Sequence, residues 1–246
     1  MLPGARRARV EVALLIVACA IGSACAGSGV FRRDYEYEEE LYLFLDGSAT
    51  LNVNASVASL VALRGARFDP DPLARIDRDA LRRFFGAPDL PVSVTLARRD
   101  GRRFVHATVD VDDVRQLSRL RPFAWSTYHF GRRGELLQFQ QVVGPPPREH
   151  QSQRWTGEEI VAFRMHLPSE VVSHNAPAAG VERGNILEWQ QPLAKRLDGN
   201  PVDIRVQLEP TSILVNTMLL FGGTALAAIA TLAAVIWWMS RRGAEV

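Results

Sequence analysis

Cysteine is nearly absent from this sequence: Cys19 and Cys25 are the only two, and both lie close to the start. The body of the chain beyond them can make no internal disulfide, and no thiolate there can join a metal site. Lysine is scarcer still, with Lys195 alone among many arginines. Neither sign of charge dominates, since the formal net charge is +2. That balance excludes the bulk basic field on which nucleic-acid binding depends. Catalytic signatures are missing too. His106, His129, His150, His166 and His174 form no H-E-x-x-H or H-x-x-x-H spacing, and neither a G-x-S-x-G elbow nor a phosphate-cradling glycine loop occurs. Asp69, Asp71, Asp77 and Asp79 alternate in part with prolines and lack the central glycine and closing glutamate of a calcium loop. They read as turn and cap residues. These absences lead to the expectation of a non-enzymatic protein with no metal and no cofactor.

What the sequence does have is one long apolar run. Thr217 to Met239 carries no charge, and the nearest charges on either side are Glu209 and Arg241. A hydrocarbon core of ~30 Å needs ~20 helical residues. Trp237 and Trp238 stand where an interfacial aromatic belt belongs, and Arg241 and Arg242 come directly after. Short segments rich in arginine stay cytoplasmic. The expectation is a transmembrane helix over 213–239, a cytoplasmic tail over 240–246, and the bulk of the chain outside.

The other end of the sequence points the same way. Arg6, Arg7 and Arg9 precede a short apolar run, Val12 to Ile21, and a small-residue stretch around Cys25. This is the pattern of an export signal over 1–25. Ser23-Ala24-Cys25 resembles a bacterial lipobox, and Cys19 after Ile16-Val17-Ala18 is the second lipidation candidate. Ordinary cleavage at Ala24-Cys25-Ala26 is the third reading.

Between these ends, 26–212 reads as an exported domain. Tyr35 to Leu45 alternates, with Tyr35, Tyr37, Leu41, Leu43 and Leu45 on one side and Glu36, Glu38 and Glu40 on the other. Asp46-Gly47 turns the chain into a second alternating run, Ala49 to Val57. Ala58 to Leu63 is a short helical turn ended by Gly65. Asp77 caps a helix over Arg78 to Phe85, with Ala80, Leu81 and Phe84 facing in. A hairpin comes next, Val92 to Ala97 with Phe104 to Val111 across Asp100-Gly101. A helix over Asp113 to Leu120, capped by Asp112, ends at Pro122. A third hairpin pairs Ala124 to Phe130 with Glu135 to Val143. The prolines from Pro145 to Pro147 mark a sub-boundary or exposed loop at 144–153. Four further strands are expected at Ile160–Leu167, Glu170–His174, Asn185–Gln190 and Val202–Leu208. Strands with interposed helices give an α+β class: a largely antiparallel β-sheet, two short helices and one C-terminal transmembrane helix.

The arginines cluster at hairpin tips. Arg98, Arg99, Arg102 and Arg103 surround the second tip and are the candidates for lipid-headgroup contact, because anionic headgroups attract such residues near a membrane surface. The alternative is that they keep an edge strand soluble.

The order of features resembles the LppM-like bacterial lipoproteins. Asp46, Gly47 and Ser48 match that family's turn after an early strand, and Pro168, Val171, Asn175 and Trp189 match its late Pro-x-x-Val…Asn segment and tryptophan strand. The resemblance implies a surface-facing, membrane-tethered domain in contact with lipid or glycolipid, and it supplies no catalytic residue. The partners expected are therefore membrane lipids or an envelope protein, with no nucleic acid. The location expected is a bacterial cell membrane, crossed once. One alternative is an assembly module acting through its membrane helix, where Gly222, Gly223, Ala227, Ala230 and Ala234 allow close approach. Another is an envelope hydrolase built on His166 and His174.

Overall fold

The computed structural model describes residues 35–147, 155–182 and 185–242. The expected export signal, Cys19, Cys25 and residues 243–246 lie outside them. The class is α+β with mostly antiparallel strands, and its local pieces arise from the sequence. Strands β1 (Tyr37–Leu43) and β2 (Ala49–Ser56) pair antiparallel, with Leu41 opposite Leu51. In the turn between them Gly47 takes φ +91°, and the Asp46 carboxylate accepts from the Ser48 amide and hydroxyl.

Helix α1 (Val57–Arg64) starts at Ser56, whose hydroxyl accepts from the Ser59 amide, and stops at Gly65 in the left-handed region. Helix α2 (Arg78–Phe85) is capped by Asp77 and buries Leu81, Phe84 and Phe85. Phe85, rather than Ala80, completes its inner face. Strands β3 (Val92–Arg99) and β4 (Arg102–Val111) form the second hairpin. The expected helix before Pro122 is a 3-10 turn, Val114–Arg119, capped by Asp113 rather than Asp112. Six residues are short for an α-helix, and the tighter winding still buries Val114 and Leu117.

The third hairpin, β5 (Ser126–Arg133) and β6 (Leu136–Val143), does not extend the sheet of the first two. It founds a second one. After the proline-rich stretch come β7 (Ile160–His166), β8 (Ser169–His174), β9 (Val181–Glu182), β10 (Ile186–Pro192), the short helix α3 (Leu193–Leu197) and β11 (Val202–Ser212). The larger sheet has the order β3-β4-β2-β1-β7-β10-β9, and the smaller β5-β6-β11-β8. Strands from both sides of the 144–153 stretch enter both sheets. β1 and β7 pair parallel. The two sheets share one core: Tyr37, Leu41, Leu51, Val53 and Val105 of the larger sheet belong to the same cluster as Phe139, Val143, Ile204 and Val206 of the smaller. Each fully buried side chain of this kind contributes ~1.5–3 kcal/mol.

The core also holds an ion pair. Glu39 and Arg64 are 3% and 2% exposed and touch directly. Arg64 Nε donates to the Tyr37 hydroxyl at 2.8 Å, and Gln141 Nε2 donates to Glu39 from β6 at 3.3 Å. Burial works against the Arg64 charge, but Tyr37 and Glu39 outweigh it and hold its pKa above the ordinary value. Nearby Arg196, also buried, is pushed down to about 10 by burial; it donates to the carbonyls of Gly144 and Asn200.

The chain leaves the smaller sheet at Ser212 and continues directly as α4 (Ile213–Arg242). Within it Thr217–Trp237 is long and apolar enough to cross a membrane, and none of that span is buried by the rest of the chain.

Candidate functional site

The second hairpin turns at Asp100-Gly101, where both residues have positive φ, 49° and 73°. That is the primed turn favoured between twisted strands. It places Arg98 opposite Arg103 and Arg99 opposite Arg102. Because side chains alternate along a strand, the two pairs project from opposite faces. The four arginines therefore do not form one cationic tip.

Arg99 and Arg102 belong to the polar face of the larger sheet. Arg99 lies over the Phe104 ring at 4.0 Å and donates to the Tyr35 carbonyl. Arg102 bridges Glu36 at 2.7 Å and Glu159 at 3.2 Å. Further along the same face Arg164 reaches Glu38 at 3.2 Å and Glu188 at 3.1 Å, and His166 meets Glu40 at 2.7 Å while stacking on Tyr42. The His166 bond holds the Glu40 carboxyl below its usual range. The glutamates of β1 thus alternate away from Tyr37 and Leu41, as the sequence pattern has it, yet Glu36 and Glu38 are only 6% and 2% exposed. Cations brought in by β4 and β7 cover them, and β1 is an interior strand. These side chains pair with one another, an arrangement that organises the sheet face.

Glu159 is held most firmly. Burial disfavours its charge, but the amides of Thr156 and Gly157 and the Arg102 guanidinium outweigh that and lower its pKa to about 2. A carboxyl depressed in the folded state contributes stability above its unfolded pKa and loses it as pH falls through the folded value. Acid should therefore erode stability between pH ~4.5 and ~2. Glu159→Gln should melt lower than the parent at pH 7, and its melting temperature should fall less on going to pH 3, as thermal denaturation at the two pH values will reveal.

Arg98 and Arg103 lie on the other face, beside the loop 69–76. Arg103 is 7% exposed and donates to the carbonyls of Ala74 and Asp69, while Arg98 is exposed. His166 and His174 are not brought together as a pair: they sit on strands of different sheets, and His174 Nδ1 accepts from the Ala176 amide. Among the described residues no group of three His, Cys, Asp or Glu is placed to hold a metal ion. Asn175 and Trp189 do meet. The Asn175 side-chain oxygen accepts from Trp189 Nε1 at 3.2 Å and from the Arg205 amide at 2.8 Å, tying β10 to β11. Trp237 is exposed near the end of the apolar helix, and Trp238, Arg241 and Arg242 fall in its last turns. The residue that sequence reasoning missed is Arg75, which joins Arg98 and Arg103 around one groove. No local spacing links it to them.

No family model and no curated protein matches this chain. Among solved structures, the NMR structure of the folded domain of LppM from Mycobacterium tuberculosis is similar in fold. The likeness covers 76% of this chain and 96% of that domain, at 13% identity and a TM-score of 0.42. This is a weak resemblance of fold.

Proposed function

We propose that this is a non-catalytic bacterial envelope protein, anchored by one C-terminal membrane helix, whose α+β domain lies outside the cytoplasm and binds lipid or an envelope partner. The observation that carries the reading is the helix after β11. It is apolar over Thr217–Trp237 and buried nowhere in the fold. A helix apolar on all sides needs an apolar surrounding, and the domain supplies none. The basic end at Arg241-Arg242 favours a cytoplasmic C-terminus, and the basic, then apolar, first residues favour export of the domain.

Cysteines introduced one at a time test the orientation. Ser118 is exposed on the domain, and Gly243 lies beyond the helix. In cells stripped of their outer layers, a membrane-impermeant maleimide should label Ser118→Cys well above the background of the parent chain. It should label Gly243→Cys only after the membrane is permeabilised. The reverse pattern would refute the orientation.

A further inference from the structure

On the face of the β3–β4 hairpin turned away from Glu36, the loop 69–76 leaves a groove of about 540 Å³. Leu73, Ile76 and Leu96 form its apolar lining, and Arg75, Arg98 and Arg103 its charged lining. Leu73 is 81% exposed at the edge of this groove.

The cations are the more telling part. Arg98 and Arg103 stand directly opposite across the two strands, and like charges so placed repel. Arg103 is nine-tenths buried, yet both of its bonds go to backbone carbonyls, and its Nε has no partner. Asp69 and Asp71 are near enough to favour the charge, but one oxygen of each accepts from a loop amide, and neither makes an ion pair with Arg103. Burial and Arg98 together pull the Arg103 pKa below its ordinary value. Arg75 and Arg98 are exposed and make no ion pair with a described residue. Contrast the opposite face, where Arg102 and Arg164 each hold two carboxylates. The fold neutralises one set of arginines and leaves the other set converging around an apolar slot.

We propose that this groove binds a phosphate ester with an alkyl chain, the phosphate between Arg75, Arg98 and Arg103 and the chain along Leu73, Ile76 and Leu96. A phosphate accepts several charge-assisted hydrogen bonds at once, and Arg75 and Arg98 are free to donate them. Arg103 supplies a fixed positive charge, and the bound anion removes the repulsion between it and Arg98. The proposal deepens the binding-domain reading above by naming the ligand chemistry. It does not depend on the membrane orientation, so the labelling experiment and the one below fail separately.

The test is calorimetric titration of the full chain, held in dodecyl maltoside micelles that carry no phosphate, with hexyl phosphate and, separately, with inorganic phosphate. Hexyl phosphate should bind more tightly than inorganic phosphate. Arg75→Gln with Arg98→Gln should weaken both ligands by about tenfold or more, the scale of losing charged hydrogen bonds. Both positions are exposed, and the double variant should keep the parent's melting temperature or exceed it, because the cross-strand repulsion is gone. Leu73→Ser should weaken hexyl phosphate alone. Absence of binding, or binding unchanged in the double variant, overturns the proposal. Equal affinities for the two ligands overturn the alkyl part and assign the groove to free phosphate.

Discussion

Arg64→Ala should lower the stability of the domain by ~3–5 kcal/mol, the usual cost of removing one partner from a buried ion pair. Arg64 and Glu39 are almost fully enclosed, so the deletion strands a carboxylate in the core. Tyr37 donates to that carboxylate from the same strand and Gln141 from β6, but neither carries a charge, and the nearby Arg196 guanidinium is bonded to the carbonyls of Gly144 and Asn200 instead. A domain of this size has ~5–15 kcal/mol in total. The variant should therefore unfold at a much lower urea concentration with an unchanged slope, monitored by tryptophan fluorescence of the full chain. Arg64→Met combined with Glu39→Leu should recover most of the loss, because both charges leave together and the volume is kept. A single variant as stable as the parent would mean that the pair is not buried. A double variant as weak as the single one would mean that Arg64 acts through packing alone.

This pair also shows what the sequence could and could not display. The hairpins, the Asp77 cap and the Gly65 stop rest on neighbours in the chain, and each was legible. The alternation of β1 separated Glu36, Glu38 and Glu40 from Tyr37 and Leu41, and that separation holds. The burial of Glu36 and Glu38 was not legible, because Arg102 reaches Glu36 from β4 and Arg164 reaches Glu38 from a strand more than a hundred residues later that pairs in parallel. The arginine tip is a different case. Arg98, Arg99, Arg102 and Arg103 are close in sequence, but period-two alternation alone divides them into two pairs on two faces, so that division was readable in the hairpin pattern. Arg75 was not, since its approach depends on how the loop 69–76 lies against the sheet. Helix α3 and strand β9 were missed for a simpler reason: five residues and two residues carry too little periodicity to stand out.

The second large effect concerns the membrane helix. Ala227 and Ala230 lie near the middle of Thr217–Trp237. An arginine at the centre of a spanning helix costs ~2.5–3.5 kcal/mol on insertion scales. Ala227→Arg with Ala230→Arg should therefore cost ~5–7 kcal/mol, enough to prevent insertion of this segment. The folded domain should be unaffected, because the span makes no buried contact with it. A parent-like urea midpoint, alongside a lost membrane attachment, is the expected signature.

The attachment itself is the central claim, and one experiment reads it most directly. A protease site placed just before Tyr35 lets the first residues be cut away, with any anchor they carry. Alkaline extraction of the isolated membranes then asks what still holds the domain. The parent chain should remain in the membrane pellet after the cut, while the double-arginine variant should pass to the supernatant. Release of the parent chain after the cut would contradict the account, for it would mean that the C-terminal helix does not anchor the protein.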